Sequence, residues 1–406
     1  MVAEMQTISP NKNAKTIKGI QRRKSILYVQ FTNPTAYPPL EHSASILSAL
    51  EWEVFFAGIR WNDSSDFSFS DTQCASLKLI TAPKKKWARK LFYGMYIAYA
   101  VKCCIQIQPS WVYVSDPVAT PAGLILCTLG FKVIYHEHDS PSIVSRTLFE
   151  RIVMACRNQL AKTCSFNVIP QETRKLFFHN ETRTKRPVVR VWNCPRRDEV
   201  SQYNREQRTD DEPLGIYYHG SISLQRVPLQ LIEAAGRSGC PVLLRIVGYE
   251  TIGSRGATIQ LRQAASAYSN TLKLEAPGPQ SDRHDLFIQM KAMHLGWVAF
   301  NEDVDDRNLR HLAGASNKAF DYLAVGLALF MNNSPEWVEI FGTEKTGIPC
   351  DISDVDQLSD LIKWAYHNPQ EVCEMGRRGR ELVLSRLNYT KQFDPVLQLM
   401  QQIEST

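Results

Sequence analysis

An alternation repeated twice along the chain narrows the fold more than any other feature: a short apolar run, a small loop, a helical segment, then another apolar run. In the first half the runs are Ser25–Phe31, Glu53–Ala57, Trp111–Ser115, Lys132–Tyr135, Cys164–Ile169 and Val188–Trp192, with helical segments near Glu41–Leu50, Pro117–Leu129 and Ile143–Arg157. No hairpin signature joins them. Strands that feed helices return parallel, so the pattern predicts an α/β chain with a doubly wound sheet. It restarts at Leu214–Tyr218 and continues through Val242–Val247, Thr271–Leu274, Trp297–Phe300 and the apolar run to Met331. Between the halves lies Arg196–Pro213, highly charged and almost without apolar residues, which reads as an interdomain linker. The expected organisation is a disordered lead over 1–23, a first domain over 24–195, a linker over 196–213, a second domain over 214–386 and a last helix in 387–406 crossing back to the first. Two such halves facing across a cleft place a ligand at the facing strand ends.

Composition excludes several classes. The 406 residues are 44% apolar and 22% charged, ordinary values for a soluble globular protein of two or three domains. The longest apolar stretches, around Val118–Leu129 and Leu323–Met331, are too short to span a bilayer. The polar, basic N-terminus lacks the apolar segment of a secretion signal. Ten cysteines show no metal-ligand spacing, and the reading is reduced structural thiols in a cytoplasmic protein. A net charge of +6 suits anionic ligands, but the cations are scattered apart from Lys84–Lys90, which argues against nucleic acid.

Three constellations carry chemistry. In Ala315–Phe330, Ser316 or Asn317 offers a helix cap, and Ala319, Phe320, Leu323 and Ala324 share one face. Lys318, Asp321, Tyr322 and Val325 share the other, and Gly326 permits a left-handed stop before a buried strand. A cation, a carboxylate and a phenol on an exposed helix face suit a phosphorylated ligand; the plainer reading is a surface Lys–Asp pair worth a few tenths of a kcal/mol. The second half opens with a strand expected to end before Gly220, a small polar loop through Ser221, and Arg226 at the next helix start. Loop amides with a guanidinium make a diphosphate clamp; the plainer reading is an arginine that meets only solvent. His136-Glu137-His138-Asp139 ends a strand on the productive edge of the first sheet. Neighbouring strand residues point to opposite sides, which disfavours zinc; a histidine here donates to a sugar or acceptor hydroxyl, or is a buried hydrogen-bonded residue.

The segment Lys84–Tyr99 packs five cations into Lys84–Lys90 and adds Trp87, Phe92, Tyr93, Tyr96 and Tyr99. Two readings stand: a charged start to a core-packing helix, or a patch against anionic lipid. The first loop, Asn33–Leu40, lacks the G-x-G-x-x-G fingerprint of a dinucleotide site.

In order and spacing these segments resemble the GT-B glycosyltransferases, and within them the large retaining family 4 of polysaccharide assembly. The resemblance runs from about Ser25 to the last helix and is strongest in the second domain. Its residues are Gly220 to Arg226, similar to a G-x-x-x-x-R opening but one residue wider, then Leu244–Gly248, Asn308-Leu309-Arg310, and Ser316–Gly326, similar to an nK-x-x-E-Y-m-a-x-G signature. It implies two Rossmann-like domains, a nucleoside-diphosphate sugar held by the second, and a saccharide acceptor, lipid-linked in some branches, held by the first. It also implies transfer with retention of configuration and no metal or other cofactor. Arg226 and Lys318 would meet the diphosphate, with Gly220, Ser221, Gly248, Asn317 and Tyr322 around the donor. Asp321 would take the place of a ribose-binding glutamate. His138, or alternatively His136, would stand near the transferred sugar, with Asn33 and Tyr37 on the acceptor side. Contact of Lys84–Tyr99 with the inner face of a membrane accompanies a lipid-linked acceptor. Three departures stand out: Ala313 where many relatives carry a glutamate, Asp321 a carbon shorter than glutamate, and a first loop without glycine. Ala313 gives weight to an alternative, a non-catalytic glycan- or partner-binding subunit; a nucleotide-sugar epimerase of the same fold is a second.

Overall fold

The computed structural model describes residues 23–33, 37–60, 75–85, 88–141, 147–203, 205, 212–280 and 282–406. Residues 1–22 of the expected lead, Pro34–Ala36 of the first loop, Lys86 and Trp87 of the basic segment, and much of the later linker lie outside the described residues.

The first unit runs β1 (Ser25–Gln30), α1 (Pro38–Ala49), β2 (Glu53–Arg60), β3 (Ala75–Thr81), α2 (Ala88–Ile107), β4 (Trp111–Ser115), α3 (Thr120–Thr128), β5 (Val133–His136), α4 (Leu148–Thr163), β6 (Phe166–Ile169), α5 (Glu172–Thr182) and β7 (Val188–Arg190). Its sheet has the order β3-β2-β1-β4-β5-β6-β7, and every pairing is parallel. Parallel strands need crossovers that cover both faces, and all six residues of β1 are buried. Leu27 and Val29 join the core under α2, α3 and α4, while Ile26 and Tyr28 join the core under α1. The strand of this sheet missed in the sequence is β3, an edge strand paired among the described residues with β2 alone; one-sided pairing leaves Ser76 and Leu77 exposed and admits the half-buried Lys78, which hides its apolar pattern.

The second unit runs α6 (Arg197–Val200), β8 (Leu214–Ile222), α7 (Leu229–Arg237), β9 (Val242–Glu250), α8 (Ala257–Ser266), β10 (Leu272–Gly278), α9 (Arg283–Lys291), β11 (Leu295–Trp297), α10 (Arg307–Arg310), α11 (Asn317–Val325), β12 (Ala328–Asn332), α12 (Pro335–Trp337), β13 (Gly347–Cys350), α13 (Val355–His367) and α14 (Pro369–Ser385). Its sheet, β10-β9-β8-β11-β12-β13, is also parallel throughout. Gly326 closes α11 at φ 95°, a left-handed stop that spares a Cβ. The charged stretch between the domains is not bare: Val200 and Tyr203 are buried in the second core, and Arg380 holds the carbonyls of Val200 and Ser201.

The final helix, α15 (Tyr389–Ser405), leaves the second unit and lies on the first. Asn388 caps it, and Tyr389, Phe393, Val396 and Met400 recur at helical spacing. All four are buried in the core that contains Tyr28, Trp111 and Tyr113, on the face of the sheet shared with α1. The Glu404 carboxylate then accepts from Trp111 Nε1 at 2.8 Å and pairs with Lys24. Each such buried side chain is worth roughly 1.5–3 kcal/mol. Phe393→Ala is therefore expected to lower the stability of the first unit by about 3–5 kcal/mol, read as an earlier urea midpoint followed by a first-domain signal such as Trp111 fluorescence. A loss under 1 kcal/mol would show that α15 is not part of that core.

Candidate functional site

The carboxyl ends of both sheets meet at a cavity of about 220 Å³ between the units. The first unit contributes Tyr37, His42, His138 and Arg174; the exit from β7 contributes Asn193 and Cys194; the second contributes Arg226, Asn317 and Lys318.

The cationic wall is assembled by two glycines and a turn. β8 continues to Ile222 rather than ending before Gly220, because it stays paired with β9 as far as Glu250. Gly220 and Ser221 are thus strand residues, and Gly248 faces Gly220 within β9 instead of forming a loop. A Cβ on Gly248 would lie 1.8 Å from the Gly220 carbonyl oxygen, and one on Gly220, at φ 116°, would lie 2.7 Å from Lys318 Cε. The pair of glycines opens the space into which Lys318 lies. Arg226 is not at the helix start either. It sits in the turn Ser223–Pro228, held by Val227 N–H to the Ser223 carbonyl and by Trp297 Nε1 to its own carbonyl at 3.0 Å. Burial, with the Arg226 guanidinium adding to it, pulls Lys318 down to about 7. Ser316 occupies the cap position of α11 without a side-chain cap bond, so the first-turn amides stand beside two cations.

The expectation of an exposed face on α11 is wrong. Ala319 to Val325 are all buried, because α14 and α9 cover the helix and the second core takes the rest. Tyr322 accepts the His219 amide at 2.9 Å, its ring filling the space that Gly296 leaves free. Asp321 meets Arg283 through both oxygens, at 3.1 and 3.4 Å, with His219 Nε2 at 3.5 Å. Arg283 continues to Glu199 at 2.6 Å, and Glu199 to His42 at 3.1 Å. Against the cost of burial, Arg283 and His42 hold the Glu199 carboxyl well below the usual carboxylate range. Only the amino end of α11 reaches the cavity.

On the opposite wall, His136-Glu137-His138 splits as strand geometry requires. Glu137 turns under the sheet, where Arg157 grips it at 2.7 Å and Tyr135 donates to it at 2.8 Å. His136 is fully buried and its Nδ1 lies 2.7 Å from the Tyr113 hydroxyl; its ring lies against that of His138, centroids 3.7 Å apart and planes tilted by 39°, and does not line the cavity. His138 does. Burial pushes it down to about 3, so the ring is neutral at pH 7, and neither nitrogen meets a hydrogen-bond partner among the described residues. Its own amide donates to Asp116 Oδ1 at 3.0 Å. Asp116 stands at the carboxyl end of β4 with φ 67° and ψ 157°, a backbone that non-glycine residues rarely adopt. Burial, with Asp139 nearby, raises its carboxyl to about 7.

The loop after His138 is gripped by the other unit. Asn308 accepts from the Ser140 amide at 2.8 Å and donates to the Ser140 carbonyl at 2.9 Å. Arg307 holds the Pro141 carbonyl at 3.0 Å and pairs with Glu181. In return Arg174, almost fully buried, reaches from α5 to the carbonyls of Asn308 and of His311, the latter at 2.9 Å, while holding the His138 carbonyl at 3.1 Å. Arg307, Asn308 and the His311 carbonyl therefore form an interdomain clasp, while Leu309 packs in the second core and Arg310 holds the Val304 carbonyl of its own domain.

Of the residues singled out in the sequence, Tyr37, His138, Arg226, Asn317 and Lys318 line the cavity. Gly220 and Gly248 shape its wall, whereas Ser221, Asp321, Tyr322, His136 and Asn33 do not line it. Sequence reasoning missed Asp116, although its place at a strand end was the same signal that drew attention to His138. It also missed Arg174 and Arg283, whose partners are more than 30 residues away and leave no local pattern. Among the described residues no group of three or more His, Cys, Asp or Glu could hold a metal ion.

Solved structures share this architecture over nearly the whole chain. A glycosyltransferase from Rickettsia africae aligns at TM-score 0.70 and 12% identity, covering 94% of this chain and 99% of its own. Anabaena HepE, solved in complex with UDP-glucose, aligns at 0.66 and 14%, covering 94% and 100%. Sucrose-phosphate synthase from Thermosynechococcus elongatus aligns at 0.66 and 13%, with coverage of 94% and 100%. At these identities the likeness carries the fold, GT-B, with two Rossmann-like domains facing a cleft. No family model matches the chain, and no curated protein matches it.

The coupling of the two cations has a direct readout. Lys318 is expected to titrate near pH 7 in pH-dependent amine labelling followed by mass spectrometry, well below surface lysines. Arg226→Ala removes a repelling charge, so the Lys318 midpoint should rise; an unchanged midpoint would place the guanidinium out of range.

Proposed function

We propose that the chain transfers a sugar from a nucleoside-diphosphate sugar to a saccharide acceptor, with the second domain holding the donor. The observation that carries this reading is the convergence of Arg226, Lys318 and the uncapped amino end of α11 on the cavity that also receives His138. The hard step is departure of the diphosphate from the anomeric carbon, and fixed positive groups are worth most where that charge develops. An arriving diphosphate raises the Lys318 pKa, so a lysine that is half neutral at pH 7 becomes fully charged in the complex. His138, neutral and without a partner among the described residues, gives or accepts one hydrogen bond at the transferred sugar or the acceptor hydroxyl. The clasp from Asn308 and Arg174 fixes the loop after His138 only while the domains are closed, which aligns the acceptor and excludes water.

Within this reading the configuration is retained, no metal takes part, and the acceptor is a lipid-linked saccharide met at the inner face of a membrane by a peripheral cytoplasmic protein. Support for these finer points is the family resemblance of the second-domain motifs and the basic, aromatic segment Lys84–Tyr99. Asp321 is not assigned to the ribose: Arg283 occupies both its oxygens, and its part is to support the charge of Lys318 from behind.

Thermal shift against UDP, GDP, ADP, dTDP and CMP tests the donor site. One nucleotide should raise the melting temperature, by about 2.7 kcal/mol of stabilisation at a hundredfold excess over Kd, and lose its effect in Arg226→Ala and Lys318→Ala. Its binding at pH 8 should take up close to one proton, read by calorimetry in buffers of different ionisation enthalpy, and Lys318→Ala should abolish the uptake. Stabilisation without turnover of the matching nucleotide sugar would favour a binding subunit; no stabilisation by any of the five would remove the donor assignment.

A further inference from the structure

Two hydrogen-bond acceptors in the interdomain cavity have their orientation fixed from behind. The first is His42 on α1, which is 3% exposed and lines the cavity from the first domain. Its Nε2 lies 3.1 Å from Glu199 Oε2. Against the cost of burial, Arg283 on the other oxygen keeps Glu199 ionised, and an ionised carboxylate only accepts. The hydrogen of a neutral His42 ring therefore sits on Nε2, and Nδ1 is left as a lone pair. That Nδ1 is buried and meets no hydrogen-bond partner among the described residues. The second acceptor is Asn193, at the exit from β7. Its Nδ2 donates to the Ala315 carbonyl at 2.6 Å, which fixes which end of the amide is Oδ1. Oδ1 is likewise buried without a partner among the described residues.

Donors line the rest of the same space. Arg226, Lys318 and the amino end of α11 suit an anion, and the one carboxylate among the described lining residues, Asp139, has a side chain 77% exposed beside Arg174. A buried acceptor without a partner is costly, and two of them in one cavity call for a ligand that brings O–H or N–H groups. The carboxylate that could have met such groups, Asp321, is taken by Arg283 at 3.1 and 3.4 Å. The cavity thus fits a molecule with an anion at one end and hydrogen-bond donors at the other.

We propose that His42 Nδ1 and Asn193 Oδ1 accept hydrogen bonds from hydroxyls of a sugar ring whose phosphate lies on Arg226 and Lys318, and so select for a hydroxylated ring in this cavity. The inference rests on the donor reading above. The ring is the ribose of the nucleotide or the sugar being transferred, and both present the same O–H donors. A site built around such hydroxyls rejects an analogue lacking them, because its buried acceptors are then left unpaired. Glu199 is a positioning residue: it holds the His42 tautomer from behind.

Calorimetric affinities of the full chain decide it. The probes are the nucleotide that stabilises the chain in the thermal screen, the same nucleotide without its ribose 2′- or 3′-hydroxyl, and its glucose conjugate. His42→Gln places an amide nitrogen near the Nε2 position, so it keeps the bond to Glu199 and removes the Nδ1 acceptor. It should melt like the wild type and lose about tenfold in affinity for the form that carries the ring being read. His42→Asn does the reverse, with an amide oxygen near the Nδ1 position and no reach to Glu199; it should melt earlier yet keep most of the affinity. A histidine that only supports the fold would make affinity follow melting temperature in both variants. If the ribose is read, a deoxy form binds the wild type about tenfold more weakly, and His42→Gln no longer tells it from the parent. If the transferred sugar is read, His42→Gln leaves the bare nucleotide unchanged and loses the gain that glucose confers. Asn193→Ala should repeat the pattern of His42→Gln. Equal binding of every form to the wild type and His42→Gln would overturn the proposal and leave the donor reading standing, whereas a chain that binds no nucleotide removes both.

Discussion

A largely buried chain of ionisable side chains runs from His42 on the first domain, through Glu199 of α6, to Arg283 and Asp321 in the second. Much of the site's geometry follows from it. Burying such groups is costly unless each finds partners, and removing one member leaves its neighbours uncompensated, at about 3–5 kcal/mol for a broken pair. The chain therefore favours one relative placement of the two domains over looser ones. It also fixes what the functional helix can offer: with Asp321 held by Arg283, α11 presents only its amino end to the cavity.

What remains in the cavity is an imbalance. On one side are Arg226, a lysine that burial and the guanidinium keep near half protonation, and helix amides without a side-chain cap. On the other is a neutral histidine whose ring nitrogens are unpartnered among the described residues, backed by an aspartate in a strained conformation. Each feature costs stability, and together they are lowered by an anion on the cationic wall and a hydroxyl-bearing group opposite. The clasp makes this arrangement conditional on closure, because the loop after His138 draws its hydrogen bonds from the second domain.

The two sheets resolve similar problems differently. The second covers both its faces with helices from its own segment, whereas one face of the first relies on α1 and on α15 returning from the chain's end. The other face is covered by α2, α3 and α4, and of these α2 carries apolar groups outward as well as inward. Packing accounts for its inner residues; it gives no reason for Leu91 and Met95 to stand in water.

The doubly wound architecture was legible in the sequence alone, since short, largely apolar runs of three to nine residues joined through helices leave little but parallel sheets. The sequence also placed Lys318 at a helix start and His138 just past a strand end, because those positions follow from local spacing; Arg226 stands in the turn ahead of α7 and not at its start. Local spacing misled where the tertiary environment inverted it. The polar face of α11 looked exposed, yet Arg283, about forty residues earlier, neutralises Asp321, and α14 covers the helix. Gly220 looked like a loop residue, yet pairing with Gly248 extends the strand past it. Arg174, Asp116 and the Asn308 clasp acquire their roles only from partners brought together by folding. Side-chain periodicity reports which face of an element is apolar; which charge is paired, buried or left facing a cavity is decided by distant residues, and only the tertiary structure supplies them.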